Sequence, residues 1–173
     1  MNRFNAAAKL TAGLIFSTVF LAACGGGGDD GNGGGGDPAD VPLSQSPALV
    51  QQYAALFNNA RSAARNCGAE AMPAVHPLTE WNPKLQAAAQ GHADDMNAKG
   101  YFSHTRQDGK TVADYGYTGM PTAENLMSGK GSPSATVTVW LNSPGHCAAI
   151  MNSLSHTVAV AQSGKYTVML YGD

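Results

Sequence analysis

Residues 157–172 read TVAVAQSGKYTVMLYG, and the reading of this stretch decides the fold. "TVAVAQ" and "YTVMLYG" are short runs rich in valine, threonine and tyrosine with the two-residue alternation of a strand. Ser163-Gly164-Lys165 supplies the turn between them, so the stretch is predicted to be a β-hairpin. The segments before it are helical in pattern. Helices first and strands late define an α+β domain, with helices packed on a small antiparallel sheet.

Three helices are predicted upstream of the hairpin. In residues 46–68, SPALVQQYAALFNNARSAARNCG, Ser46 stands as N-cap and Pro47 at the first helical position. Val50, Tyr53, Ala54, Phe57, Ala60 and Ala64 recur at steps of three and four, and the helix is expected to stop before Gly68. The same start signal returns as Asn82-Pro83. Leu85, Ala88, Ala89, His92 and Met96 then share one face up to Gly100. A third helix is predicted over SPSATVTVWLNS, capped by Ser132 and opened by Pro133. Pro73 and Pro77 break AMPAVHPL into a loop. Residues 101–129 are rich in turn formers and read as a long ordered loop with one helical turn, the kind of segment that carries function.

The N-terminus reads as a processing signal. Arg3 and Lys9 precede the uncharged, mostly apolar run LTAGLIFSTVFLAA, which is shorter than the ~20 residues a membrane-spanning helix needs. It ends in Leu21-Ala22-Ala23-Cys24, which resembles the lipobox of bacterial lipoproteins, with residues 1–23 removed and Cys24 lipidated. Acyl chains contribute about 0.8 kcal/mol per buried methylene, enough for several on one residue to hold a protein at a membrane. Residues 25–36 hold nine of the 21 glycines, so residues 24–45 are expected to form a Gly/Asp-rich flexible tether. Its root-mean-square reach would be roughly 25 Å. Residues 46–173 would then be one domain. Gly25 rather than Asp after the lipidated position favours the outer membrane in a double-membraned bacterium.

Ten Lys plus Arg stand against twelve acids, and loss of Arg3 and Lys9 with the leader makes the balance more acidic. No basic stripe exists, so nucleic-acid binding has no electrostatic footing. With Cys24 carrying lipid, Cys67 and Cys147 are expected to form one disulfide in an exported protein. His146 and Cys147 are adjacent, and adjacent side chains diverge by about 100° on a helix. They should therefore serve different partners.

His104, Glu124 and His146 supply two imidazoles and a carboxylate, a donor set suited to zinc or another divalent metal. Nothing local forces them together, and their spacing leaves a shared site and three separate loop residues both open. His92, on an apolar helix face, reads as a hydrogen-bonded core histidine. Asp94 and Asp95 read as solvated or capping groups, His76 and His156 have no evident partner, and Trp81 and Trp140 read as core anchors.

The pieces LTEWNPKLQAAAQGHADDM, FSH with DGKT, GY…AEN and VWLNSPGHC occur in one order. Together they resemble the bacterial, SCP-like branch of the CAP superfamily (cysteine-rich secretory, antigen-five and pathogenesis-related proteins), from about Pro47 to Tyr171. The resemblance implies an α-β-α sandwich with a shallow cleft lined by His104, Glu124 and His146. Animal and plant members carry a second Glu where this chain has Ser143, and that loss weakens a metal site or an acid–base pair. Bacterial relatives often have Arg where this chain has Cys147, and another arginine where it has Asp114-Tyr115. The lipobox and this resemblance together point to a membrane-anchored binding module in the bacterial envelope, with His104, Glu124, Ser143 and His146 lining a ligand or metal cleft. The alternative is a peptidase-like hydrolase using Glu124, His104 or His146 as base. Neither Ser103 nor Ser143 sits in a nucleophile elbow.

Overall fold

The computed structural model describes residues 36–173. The signal segment, Cys24 and most of the expected tether lie outside these residues. In chain order the elements are β1 (Val41–Pro42), α1 (Ala48–Arg61), β2 (Arg65–Cys67), β3 (Glu70–Met72), β4 (Glu80–Trp81), α2 (Pro83–Lys99), β5 (Pro121–Ser128), α3 (Pro133–Leu141), α4 (Pro144–Ile150), β6 (Thr157–Ser163) and β7 (Tyr166–Gly172).

The predicted hairpin is the middle layer of a three-layer sandwich. β6 and β7 pair antiparallel from Thr157↔Gly172 to Ser163↔Tyr166. Side chains of successive strand residues point to opposite faces, and here both faces are covered. Val158, Val160, Met169 and Tyr171 pack with Tyr53, Phe57, Trp140 and Ile150 of α1, α3 and α4. Ala159, Ala161, Val168 and Leu170 pack with Leu85, Ala89, Ala93 and Met96 of α2. The strands are therefore apolar on both sides, with small alanines of β6 toward α2.

The sheet has five strands in the order β1-β4-β6-β7-β5. It is antiparallel except at β4 and β6, which run parallel through Glu80↔Thr157. The start signals of α2 and α3 act as their sequences imply. Asn82 accepts hydrogen bonds from the N–H groups of Lys84 and Leu85, and Ser132 from that of Ala135. Gly100 ends α2 in the left-handed region at φ 70°, which a side chain would disfavour. Trp140 is fully buried with its indole N–H donating to the Leu126 carbonyl, as an anchor should be.

Four expectations need correction. α1 begins at Ala48, after Pro47, and the Ser46 hydroxyl donates to the Leu43 carbonyl instead of capping it. The helix also ends at Arg61, short of Gly68. The next residues join the β2–β3 hairpin, so Cys67 lies on a strand and its disulfide links β2 to α4. The long loop contains the expected helical turn (Ala113–Tyr115) but also the eight-residue strand β5. Finally, the boundary at Ser46 is too late, because residues 37–45 belong to the fold.

Asp37 shows why. Its side chain is buried and accepts from the Ala39 N–H (2.8 Å), the Thr118 N–H (2.6 Å) and hydroxyl (2.8 Å), and Lys84 Nζ (3.2 Å). Burial works against the ionised form, but these donors outweigh it and hold the carboxyl well below the usual carboxylate range. A depressed carboxyl adds stability above its unfolded value, about 3.9, and that stability is lost as pH falls through the folded value. Asp37→Asn should therefore flatten the acid side of the stability–pH curve, read by urea unfolding at stepped pH. An acid limb as steep as wild type would refute the assignment.

Candidate functional site

Glu124 sits on β5 opposite Leu170 of β7, and strand alternation sends it and Asn125 to opposite faces. Asn125 is fully buried and donates to the His146 carbonyl and to Tyr171 Oη, both at 3.3 Å, which ties α4 to the sheet. Glu124 turns the other way, toward α2 and the loop after it.

There its carboxylate bridges two imidazoles. Oε1 lies 2.6 Å from His104 Nδ1, and Oε2 lies 2.9 Å from His92 Nδ1. His104 is 63% exposed, whereas His92 is 2% exposed. His92 Nε2 meets the Ser103 carbonyl at 3.0 Å, so the buried ring also fixes the backbone next to His104. The expectation of a hydrogen-bonded core histidine at residue 92 holds, but its partner is the site glutamate, which periodicity cannot reveal.

His92, His104 and Glu124 line a cavity of ≈ 560 Å³ whose walls include Ala88, Val112 and Leu170. Arg106 also lines it. Its guanidinium donates to Asp108 (2.9 and 2.6 Å), the Ala88 carbonyl (3.0 Å) and Tyr115 Oη (2.5 Å). Burial alone would weaken its charge, but Asp108 and Tyr115 more than compensate and hold the group protonated. A Cβ at Gly91 would collide with Tyr115 Oη, so only glycine on this turn of α2 lets the loop close over the helix. No sequence signal singled out Arg106, and Asp108 and Tyr115 entered only through the resemblance, in DGKT and beside Asp114. Asp95, expected as a solvated or capping group, is buried and accepts from Tyr101 Oη, Lys99 Nζ and the Gln107 N–H.

His146 behaves differently. It is half-buried beside Trp140, and its Nδ1 is 3.0 Å from Ser143 Oγ. Burial, then the neighbouring His104, hold its pKa below the ordinary histidine value. Cys147 points to Cys67, so the divergence of the adjacent pair is as expected. His146 and Ser143 are not among the residues lining this cavity, although His146 stands close enough to His104 for the two imidazoles to influence each other.

These hydrogen bonds narrow the donor set available for zinc. Glu124 spends both oxygens on imidazoles and His146 Nδ1 is spent on Ser143. Among the described residues no three or more His, Cys, Asp or Glu side chains are grouped to hold a metal ion. Glu124 is thus placed to orient His104 rather than to ligate, and the Nε2 atoms of His104 and His146 are the donors left for an ion. His76 and His156, without predicted partners, stack on each other with ring centroids 4.1 Å apart.

This sandwich, with a His–Glu cleft between α2 and the sheet, defines a CAP-type domain. The chain belongs to the CAP, or cysteine-rich secretory protein, family, whose pattern matches residues 54–170, more than half its length. It is 33% identical over 91 residues to YlbC, an uncharacterized membrane protein of Bacillus subtilis (strain 168). That match covers 50% of this chain and 26% of the relative, so the chain spans about a quarter of YlbC. An extracellular protein containing an SCP domain from Bacillus anthracis str. Ames shares the fold with TM-score 0.56 and 24% identity, over 70% of this chain and 39% of that one. An outer surface protein of Borrelia burgdorferi does so with TM-score 0.52 and 20% identity, over 71% and 87%.

Proposed function

We propose that this chain is an extracytoplasmic binding module, held at the bacterial envelope by lipid on Cys24, whose cleft takes a small ligand. The cavity carries this reading. Its ≈ 560 Å³ lies within the range of small-molecule sites, about 300–1,000 Å³, and it joins apolar walls to a cluster of polar groups that includes the His104–Glu124 pair and Arg106. A ligand with an apolar body and a polar end suits that lining. The leader sequence, the cystine and relatives described as extracellular, outer-surface and membrane proteins support the location.

Native mass spectrometry of protein purified from its own envelope tests the binding role. A small bound mass is expected in wild type, with affinity lowered at least about tenfold, roughly 1.4 kcal/mol, in His104→Ala and Glu124→Gln. Undiminished binding in both variants would place the ligand elsewhere.

One observation favours a hydrolase instead: the Ser143–His146 contact at 3.0 Å, with burial keeping the imidazole neutral as a base requires. Against it, Ser143 opens α4 as its N-cap, neither residue lines the cavity, and Cys147 is bonded. Covalent labelling of Ser143 by a fluorophosphonate would reverse that order.

A further inference from the structure

We infer that His92 is a positioning residue which, acting through Glu124, fixes the tautomer of His104 and leaves His104 Nε2 as a bare acceptor in the cleft. Hydrogen-bond bookkeeping carries the inference. A carbonyl oxygen can only accept, so the 3.0 Å contact from His92 Nε2 to Ser103 requires a hydrogen on Nε2. The 2.9 Å contact between His92 Nδ1 and Glu124 Oε2 needs one further proton, on one side or the other.

Both placements give Oε1 the same role. If the proton sits on Nδ1, Glu124 is a carboxylate and both its oxygens accept. If it sits on Oε2, Oε1 is the carbonyl oxygen of a carboxyl group and again accepts. His104 Nδ1, 2.6 Å from Oε1, must therefore donate. The remaining arrangement puts the proton on Oε1 and donates it to His104. It would leave His92 doubly protonated against a neutral carboxyl at a ring only 2% exposed. A buried imidazolium that faces only neutral acceptors gives up its proton, which histidine, unlike arginine, does readily near neutral pH.

A neutral imidazole has one N–H. His104 spends it on Glu124, so the lone pair of Nε2 is left on the exposed part of the ring. The ligand end that meets it must then bring a hydroxyl, an N–H donor or a cation, and a carboxylate or phosphate oxygen would be repelled. This consequence for ligand chemistry rests on the cleft being the binding site, but the tautomer does not.

Long-range proton–nitrogen NMR on the full protein labelled with ¹⁵N-histidine reads the tautomer directly, without ligand. At a pH where its imidazole is uncharged, wild-type His104 is expected to show a protonated Nδ1 and a pyridine-type Nε2. Two variants isolate His92. In His92→Asn the amide nitrogen replaces Nδ1 and keeps the bond to Glu124. In His92→Gln it replaces Nε2, keeping Ser103 and releasing Glu124. His104 should hold its tautomer in the first and drift in the second toward the Nε2–H form that free histidine prefers. An Nε2–H signal in wild type overturns the inference, as do identical His104 signals in the two variants. The wild-type spectrum decides even if neither variant folds, and a failed ligand search leaves it untouched.

Discussion

Arg61→Met should lower the unfolding free energy by about 3–5 kcal/mol, the largest loss expected from any single substitution in this domain. The side chain is fully buried at the end of α1. Its guanidinium donates to the carbonyls of His76 (2.8 Å), Ile150 (2.7 Å), Asn152 (3.0 Å) and Ser155 (3.1 Å). Among the described residues it meets no carboxylate within ion-pair distance, so these oxygens alone offset the cost of burying its charge, and burial draws its pKa down. Methionine fills the volume but leaves four carbonyls without that donor, and the two in buried bonds, of Ile150 and Ser155, cost about 1–3 kcal/mol each where water cannot reach. Urea unfolding should show a lower midpoint at an unchanged slope. A loss below about 1 kcal/mol would mean that water or neighbouring N–H groups replace the guanidinium.

Removing the cystine by Cys67→Ala with Cys147→Ala should cost about 4 kcal/mol, measured the same way under oxidising conditions. The two residues are 80 apart in sequence, and a bridge across so long a loop takes roughly that much entropy from the unfolded chain. Their Cα atoms are 5.4 Å apart, within the ordinary range for disulfides. The cystine also packs on Met151, Met72 and Val75, so the loss includes some apolar burial. A double variant as stable as wild type would show that β2 and α4 are held by other contacts.

The parts of the fold legible in sequence are those with local physical signals. Asn82-Pro83 and Ser132-Pro133 are helix starts wherever they occur, and valine and tyrosine alternating about a glycine turn make a hairpin. β5 lacked such a signal. PTAENLMS begins with proline and includes Glu and Asn, poor strand formers, and it is extended because β7 offers it a partner from Gly172 to Tyr166. α4 is seven residues long and contains Gly145, too short for a helical period. Arg65–Cys67 continues a helical pattern but is claimed by β3 and the cystine, a tertiary demand that propensity cannot foresee.

The site divides in the same way. His104 and Glu124 were found through a family resemblance, and they do touch. His146 and Ser143 came with them but pair with each other outside the cavity. His92 was judged by the face of its helix, and an apolar face does not tell whether a buried imidazole serves packing or chemistry. The difference lies in Glu124, 32 residues away in sequence.

The clasp around Asp37 has a mechanical consequence. A pull on the chain N-terminal to Gly36 meets this carboxylate first, and the load passes to Thr118 and Lys84 before it reaches the sheet. If the clasp yields, the next structure in line is β1, a two-residue strand at the sheet's edge. Edge strands peel one contact at a time, whereas β6 and β7 lie between two layers of helices. The first ten residues of the fold could thus act as a fuse, lengthening under tension while the cleft keeps its shape.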